Sequence, residues 1–110
     1  MITLNCHCGN ISLAFKQLPD AARDCDCAIC NRLGALWGDF KFSEVTITTT
    51  EPTGTYRWGN QEFEMHHCQT CGCTTHYTAA DVKDRSEIGI NLRMLDRRKL
   101  EQLPIKTSCE

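Results

Sequence analysis

Cysteines at tight spacings are the residues of this chain best placed to do chemistry: Cys6 and Cys8, then Cys25, Cys27 and Cys30, then Cys68, Cys71 and Cys73. Thiolates are soft ligands, and one tetrahedral zinc gathers four sulfurs at about 2.3 Å without requiring them to bond one another. Disulfides fit the spacing poorly, because cysteines two apart on a strand have α-carbons roughly 6.6 Å apart, at the far edge of disulfide geometry. The opening Met1-Ile-Thr-Leu-Asn5 also has neither the basic nor the apolar stretch of an export signal, so the expected compartment is the reducing cytoplasm. Thioredoxin-like dithiol chemistry at Cys68 and Cys71 would need a βαβ context that the surrounding sequence lacks.

The thiolates divide into two expected metal sites, one zinc in each. Cys6-His7-Cys8-Gly9 and Cys68-Gln69-Thr70-Cys71-Gly72 each supply two sulfurs and a glycine that lets the backbone turn around a metal. Four thiolates saturate zinc, so Cys6, Cys8, Cys68 and Cys71 are expected to form a structural staple. Cys25, Cys27 and Cys30 offer only three ligands. Three ligands and an open position are the arrangement of catalytic zinc, which binds a thiol and stabilises it as a leaving group. The competing possibility is a second structural site closed by Cys73, His67 or His76. Cys73 has two further readings, a reactive thiol or a small buried residue. His7 should face away from its neighbours' metal, and at most one of His66 and His67 can face a site, since adjacent strand residues point to opposite faces. Cys109 is given no role, and no spacing singles out a general base.

The elements that must position these groups read as strands. Ile11, Leu13 and Phe15 alternate with Ser12, Ala14 and Lys16, the period of a half-buried strand entered just after the first cysteine pair. Cys25 to Gly34 reads as a knuckle with one helical turn. Residues 35–42, 44–50 and 55–58 read as three strands of a meander, and Gly59-Asn60 as the turn of a hairpin into 62–66. Strands are further expected over 74–78 and 87–95, and a short helix over 97–103 before Pro104. The expected fold is mainly β, of antiparallel sheets with little helix, as one domain over residues 1–110 whose modest core leans on metal. A net charge of −2 supplies no basic field for nucleic acid, and no apolar run approaches the roughly 20 residues that span a bilayer.

Taken in order, the motifs Cys6-His7-Cys8-Gly9, Cys25-Asp26-Cys27-Ala28-Ile29-Cys30-Asn31-Arg32 with Gly34-Ala35, Cys68-Gln69-Thr70-Cys71-Gly72-Cys73-Thr74-Thr75-His76 and Gly89-Ile90-Asn91-Leu92-Arg93 resemble those of the glutathione-dependent formaldehyde-activating enzyme family, which includes centromere protein V. The resemblance implies a folded-over sheet called a β-tent, structural zinc on Cys6, Cys8, Cys68 and Cys71, and a second zinc on Cys25, Cys27 and Cys30. It also implies a carbon–sulfur lyase that joins glutathione to formaldehyde and cleaves S-(hydroxymethyl)glutathione, with the glutathione sulfur in the fourth zinc position. Arg32, Lys41 and Arg93 are then candidates to pair with glutathione's carboxylates. The alternative function is a binding or scaffold module in which both metals are structural.

Overall fold

In the computed structural model, which describes residues 1–107, ten strands form two sheets. The smaller contains β1 (Ile2–Asn5), β2 (Ile11–Phe15) and β5 (Thr46–Thr49), with β2 in the centre. The larger contains β3 (Ala22–Asp24), β4 (Trp37–Lys41), β6 (Gly54–Arg57), β7 (Phe63–His67), β8 (Thr74–Ala79), β9 (Glu87–Asn91) and β10 (Ile105–Thr107), in the order β10-β3-β4-β9-β8-β7-β6. Helix is confined to α1 (Ala28–Leu33), α2 (Arg97–Glu101) and single 3-10 turns. The fold is thus mainly β, as expected. The β6–β7 hairpin also forms as expected, with Tyr56 opposite Met65 and Gly59 at φ 58° in its turn.

Two expectations about strand order are corrected. Residues 35–58 do not form a meander: β4 pairs with β3 and β9, β5 crosses to β2 in the other sheet, and β6 pairs with β7. Burial decides this, since Ile47 is the one residue of β5 that packs on the core and it does so opposite Leu13. The pairing is also not wholly antiparallel. β10 returns through α2 and lies parallel to β3, with Lys106 opposite Arg23, the connection a parallel pair requires.

Strand alternation gives the large sheet two different faces. Phe40, Ile88, Ile90, His76, Thr78, Glu64 and His66 lie on one, by their register across β4, β9, β8 and β7. This face turns to the small sheet. Leu4, Ile11, Leu13 and Phe15 pack there with Ile88, Ile90, Leu92 and Leu95, and the Phe15 ring meets Phe40 at 4.6 Å. The opposite face carries Tyr56, Met65, Tyr77, Gly89 and Asp39 in one row across five strands. Trp37 lies on that face too, and with Met65 it forms a second core with Cys25, Cys30 and Ala35.

Candidate metal centres

The first cluster is made by two turns that solve the same problem. After β1 the chain reverses through Cys6 to Gly9, closed by Gly9 N–H to the Cys6 carbonyl at 3.1 Å, with Gly9 at φ 88°. After β7 it reverses through Cys68 to Gly72, closed by Gly72 N–H to the Cys68 carbonyl at 2.9 Å, with Gly72 at φ 81°. Only glycine takes those angles without strain. Each turn aims backbone donors at its first sulfur: Ile11 N–H at Cys6 Sγ (3.3 Å), and Thr70 and Cys71 N–H at Cys68 Sγ (3.3 and 3.4 Å). The Asn10 side-chain amide adds a donor to Cys68 Sγ at 3.7 Å.

The four sulfurs of Cys6, Cys8, Cys68 and Cys71 all lie within 4.8 Å of one another, with Cys8 and Cys68 3.4 Å apart. So close a set cannot carry four negative charges unaided. Backbone N–H groups of Cys73 and Cys8 draw Cys71 down to about 5. Cys8 is pushed up to about 12, because the Asn10 N–H that favours its thiolate is outweighed by burial and by the Cys68, Cys6 and Cys71 sulfurs. Donors arranged for thiolates around a space that needs a cation make this a group able to hold a metal ion. Cys73 belongs to this neighbourhood, since its thiol is acted on by the His7 backbone and by the Cys71 and Cys6 sulfurs.

The second cluster sits on the other face of the large sheet. Cys25 follows β3, Cys27 is the residue before α1, and Cys30 is one turn inside that helix, which ends at Gly34 with φ 65°. Their three sulfurs also lie within 4.8 Å of one another. Trp37 and Met65 form the floor, with Trp58, Tyr77 and Ile29 packed around it. The Trp37 indole N–H donates to Cys30 Sγ at 3.3 Å, fixing that sulfur from the sheet side. Burial pushes the Cys30 thiol up to about 11, which a bound cation would reverse. For Cys27, burial raises the pKa but is outweighed by the Cys30 thiol and by the N–H groups of Cys30 and Ile29, leaving it lowered.

Among the described residues no fourth metal-binding side chain joins Cys25, Cys27 and Cys30. His76 is on the opposite face, its ring stacked 4.3 Å from that of His66 with 3° between their planes. Buried together, His66 and His76 have lowered pKa values, with His76 down to about 3, and they bond the hydroxyls of Thr78 and Thr75. The His67 ring occupies the space where Gly54 lacks a side chain. His7 is exposed. Cys109 lies outside the described residues. Of the three suggested carboxylate partners, Arg32 donates to the Ala28 carbonyl and Arg93 to the Gly34 carbonyl, at the two ends of α1. Lys41 ends β4, four residues beyond Trp37.

Sequence reasoning did not find Trp37, Asn10, or the group of Tyr77, Arg23 and Asp39. Arg23 holds Asp39 through two hydrogen bonds (2.8 and 3.0 Å) and donates to the Tyr77 hydroxyl at 2.6 Å. Tyr77 reaches Arg23 by lying across Gly89, where an added Cβ would fall 2.1 Å from its ring. A glycine opposite an aromatic residue was the available signal, but only once register is known. The widest groove, about 610 Å³, is lined by Phe15, Leu18, Phe40 and Glu44 and contains no cysteine.

Two sheets joined at a four-cysteine cluster, with a three-cysteine cluster on the outer face, define a small β protein built around thiolate metal centres. The chain belongs to the family described as glutathione-dependent formaldehyde-activating enzyme, whose sequence model matches residues 1–108. It is similar to a Rhodobacter sphaeroides protein solved as a structural-genomics crystal structure, at 28% identity and a TM-score of 0.76 over 96% of this chain and 100% of that one. A search of curated proteins finds no match. Among the described residues no helix is long and apolar enough to cross a membrane.

Proposed function

We propose that this protein is a zinc-dependent carbon–sulfur lyase acting on a hydroxymethyl thiol adduct, with glutathione the thiol that the family description names. The observation that carries this reading is the difference in ligand count: four mutually close sulfurs in the first cluster, three in the second. Cys6, Cys8, Cys68 and Cys71 would hold a structural ion, and Cys25, Cys27 and Cys30 a second ion with a position left for substrate sulfur. Zinc held there supplies a Lewis acid that favours the thiolate form of an added thiol. The chain's own residues prepare the site: the helical turn spaces Cys27 and Cys30, Trp37 orients the Cys30 sulfur, and Met65 and Trp37 keep water from the floor. In the cleavage direction RS–CH2–OH gives RS–, formaldehyde and one proton. Arg32 and Arg93, which meet only backbone carbonyls here, are available to an anionic thiol.

Zinc per chain, measured by elemental analysis before and after dialysis against excess glutathione, tests the reading together with formaldehyde release from S-(hydroxymethyl)glutathione. The expected result is two zinc ions with one responsive to thiol, and a Cys27→Ser variant that stays folded with one ion and no activity. Two ions indifferent to glutathione, with no turnover, would replace the lyase by a scaffold module held by two structural metals.

A further inference from the structure

Beside the second cluster the large sheet presents a strip of aromatic surface that the fold does not use. Tyr56 and Phe63 are 51% and 47% exposed, although both lie on the same face as Met65 and Tyr77. Tyr56 stacks on Trp58 with centroids 5.9 Å apart and planes 8° from parallel, and Phe63 meets Tyr77 edge-on at 5.8 Å. Trp58 and Tyr77 in turn pack against the core that contains Cys25 and Cys30. The strip is therefore continuous with the cluster. Tyr56, Met65, Tyr77 and Gly89 carry no formal charge, and at the end of their row Asp39 is already neutralised by Arg23. Arg57 and Glu64 pair with each other, and by register both belong to the opposite face. Flat apolar rings next to a thiol-binding position form a shelf for a flat apolar group, since aromatic pairs gain from offset or edge contact beyond the area they bury.

We propose that Tyr56, Trp58, Phe63 and Tyr77 receive the carbon substituent of the substrate thiol, so that the site favours thiol adducts bearing an aromatic or other apolar group over purely polar ones. The proposal rests on the open second cluster proposed above and names the class of thiol that cluster takes. The sulfur would occupy the vacant ligand position, and the ring attached to it would lie over Tyr56 and Trp58.

Calorimetric titration of the zinc-loaded protein with 2-phenylethanethiol and with 2-mercaptoethanol tests it, because the two differ in a phenyl ring against a hydroxyl. The phenyl thiol should bind about tenfold tighter. Tyr56→Ser and, separately, Phe63→Ser should remove most of that preference while leaving 2-mercaptoethanol binding unchanged. Both side chains are half exposed, so the variants should fold. Equal affinity for the two thiols, or a preference that survives both substitutions, overturns the shelf and leaves the open cluster standing. Binding of neither thiol overturns both readings. Sedimentation of the same samples gives the last outcome: a wild-type dimer that Tyr56→Ser converts to monomer would assign the strip to a second copy of the chain and overturn the shelf.

Discussion

Gly89→Ala is a small change with a large expected effect. The new Cβ is fixed to β9 and lands 2.1 Å from Cε2 and 2.5 Å from Cζ of Tyr77, so the ring must move. It cannot move freely. Its hydroxyl accepts from Arg23 at 2.6 Å, a hydrogen bond to a charged group worth about 1.5–3 kcal/mol. Its ring meets Trp37 edge-on at 4.8 Å, a contact worth about 0.5–1.5 kcal/mol. Against these losses, alanine is favoured over glycine within a strand by roughly 0.5–1 kcal/mol. The net destabilisation should be about 2–3 kcal/mol. With Tyr77→Ala already present the added methyl has room, and the same change should be neutral or stabilise by about 0.5 kcal/mol. The coupling between the two positions is then about 3 kcal/mol, measurable by urea unfolding of the four proteins at matched metal content. Equal costs for Gly89→Ala in both backgrounds would mean that Tyr77 does not lie across β9.

The stacked histidines predict an acid weakness. His76 is held to about 3 by burial, from an ordinary 6.5, so the unfolded chain binds a proton that the fold refuses as pH drops below 6.5. Stability present above that pH is lost progressively toward pH 3, by about 2 kcal/mol at pH 5. Since acid also protonates thiolates, the measurement is the difference between wild type and His76→Gln across pH 5–7; parallel curves would remove His76 as the cause. Asn10 joins β2, β5 and the first cluster, its oxygen accepting from the N–H groups of Thr50 (3.1 Å) and Glu51 (2.7 Å). Asn10→Leu leaves both donors buried and unpaired and should cost about 3 kcal/mol in chemical denaturation; a loss below about 1 kcal/mol would show that water replaces the amide.

What was legible in the sequence is what local chemistry determines. Cysteine spacing separates the two clusters without any knowledge of register, because ligands two or three residues apart must share a turn. Gly59-Asn60 marks the β6–β7 hairpin through its own backbone preference. Pairing over distance was another matter. β1, β3 and β10 are three or four residues long, too short for alternation to register, and each is defined by a partner far along the chain. β5 has strong strand propensity that names no partner, and its place beside β2 follows from Ile47 and from the Asn10 contacts with Thr50 and Glu51. Trp37 escaped notice because its sequence pattern is that of any core aromatic, while its indole N–H bonds a cysteine that only the fold brings near.

Placement of the clusters on opposite faces of one sheet gives a physical basis for their division of labour. Cys6 follows a strand of the small sheet and Cys68 a strand of the large one, and both are almost fully buried in the core between them. Shared ions at that point hold two sheets that touch through only a modest set of aliphatic side chains, so removing a ligand there releases the core itself. Cys25, Cys27 and Cys30 instead lie within one loop and helical turn, over a floor that Trp37 and Met65 complete, on a face bordered by exposed aromatic rings. Opening that group costs a local rearrangement, because the strands beneath it keep their pairing through β4, β9 and β8. A site that must accept and release a ligand belongs on the face where its own disorder does not unfold the protein, and the fold puts the three-sulfur cluster there.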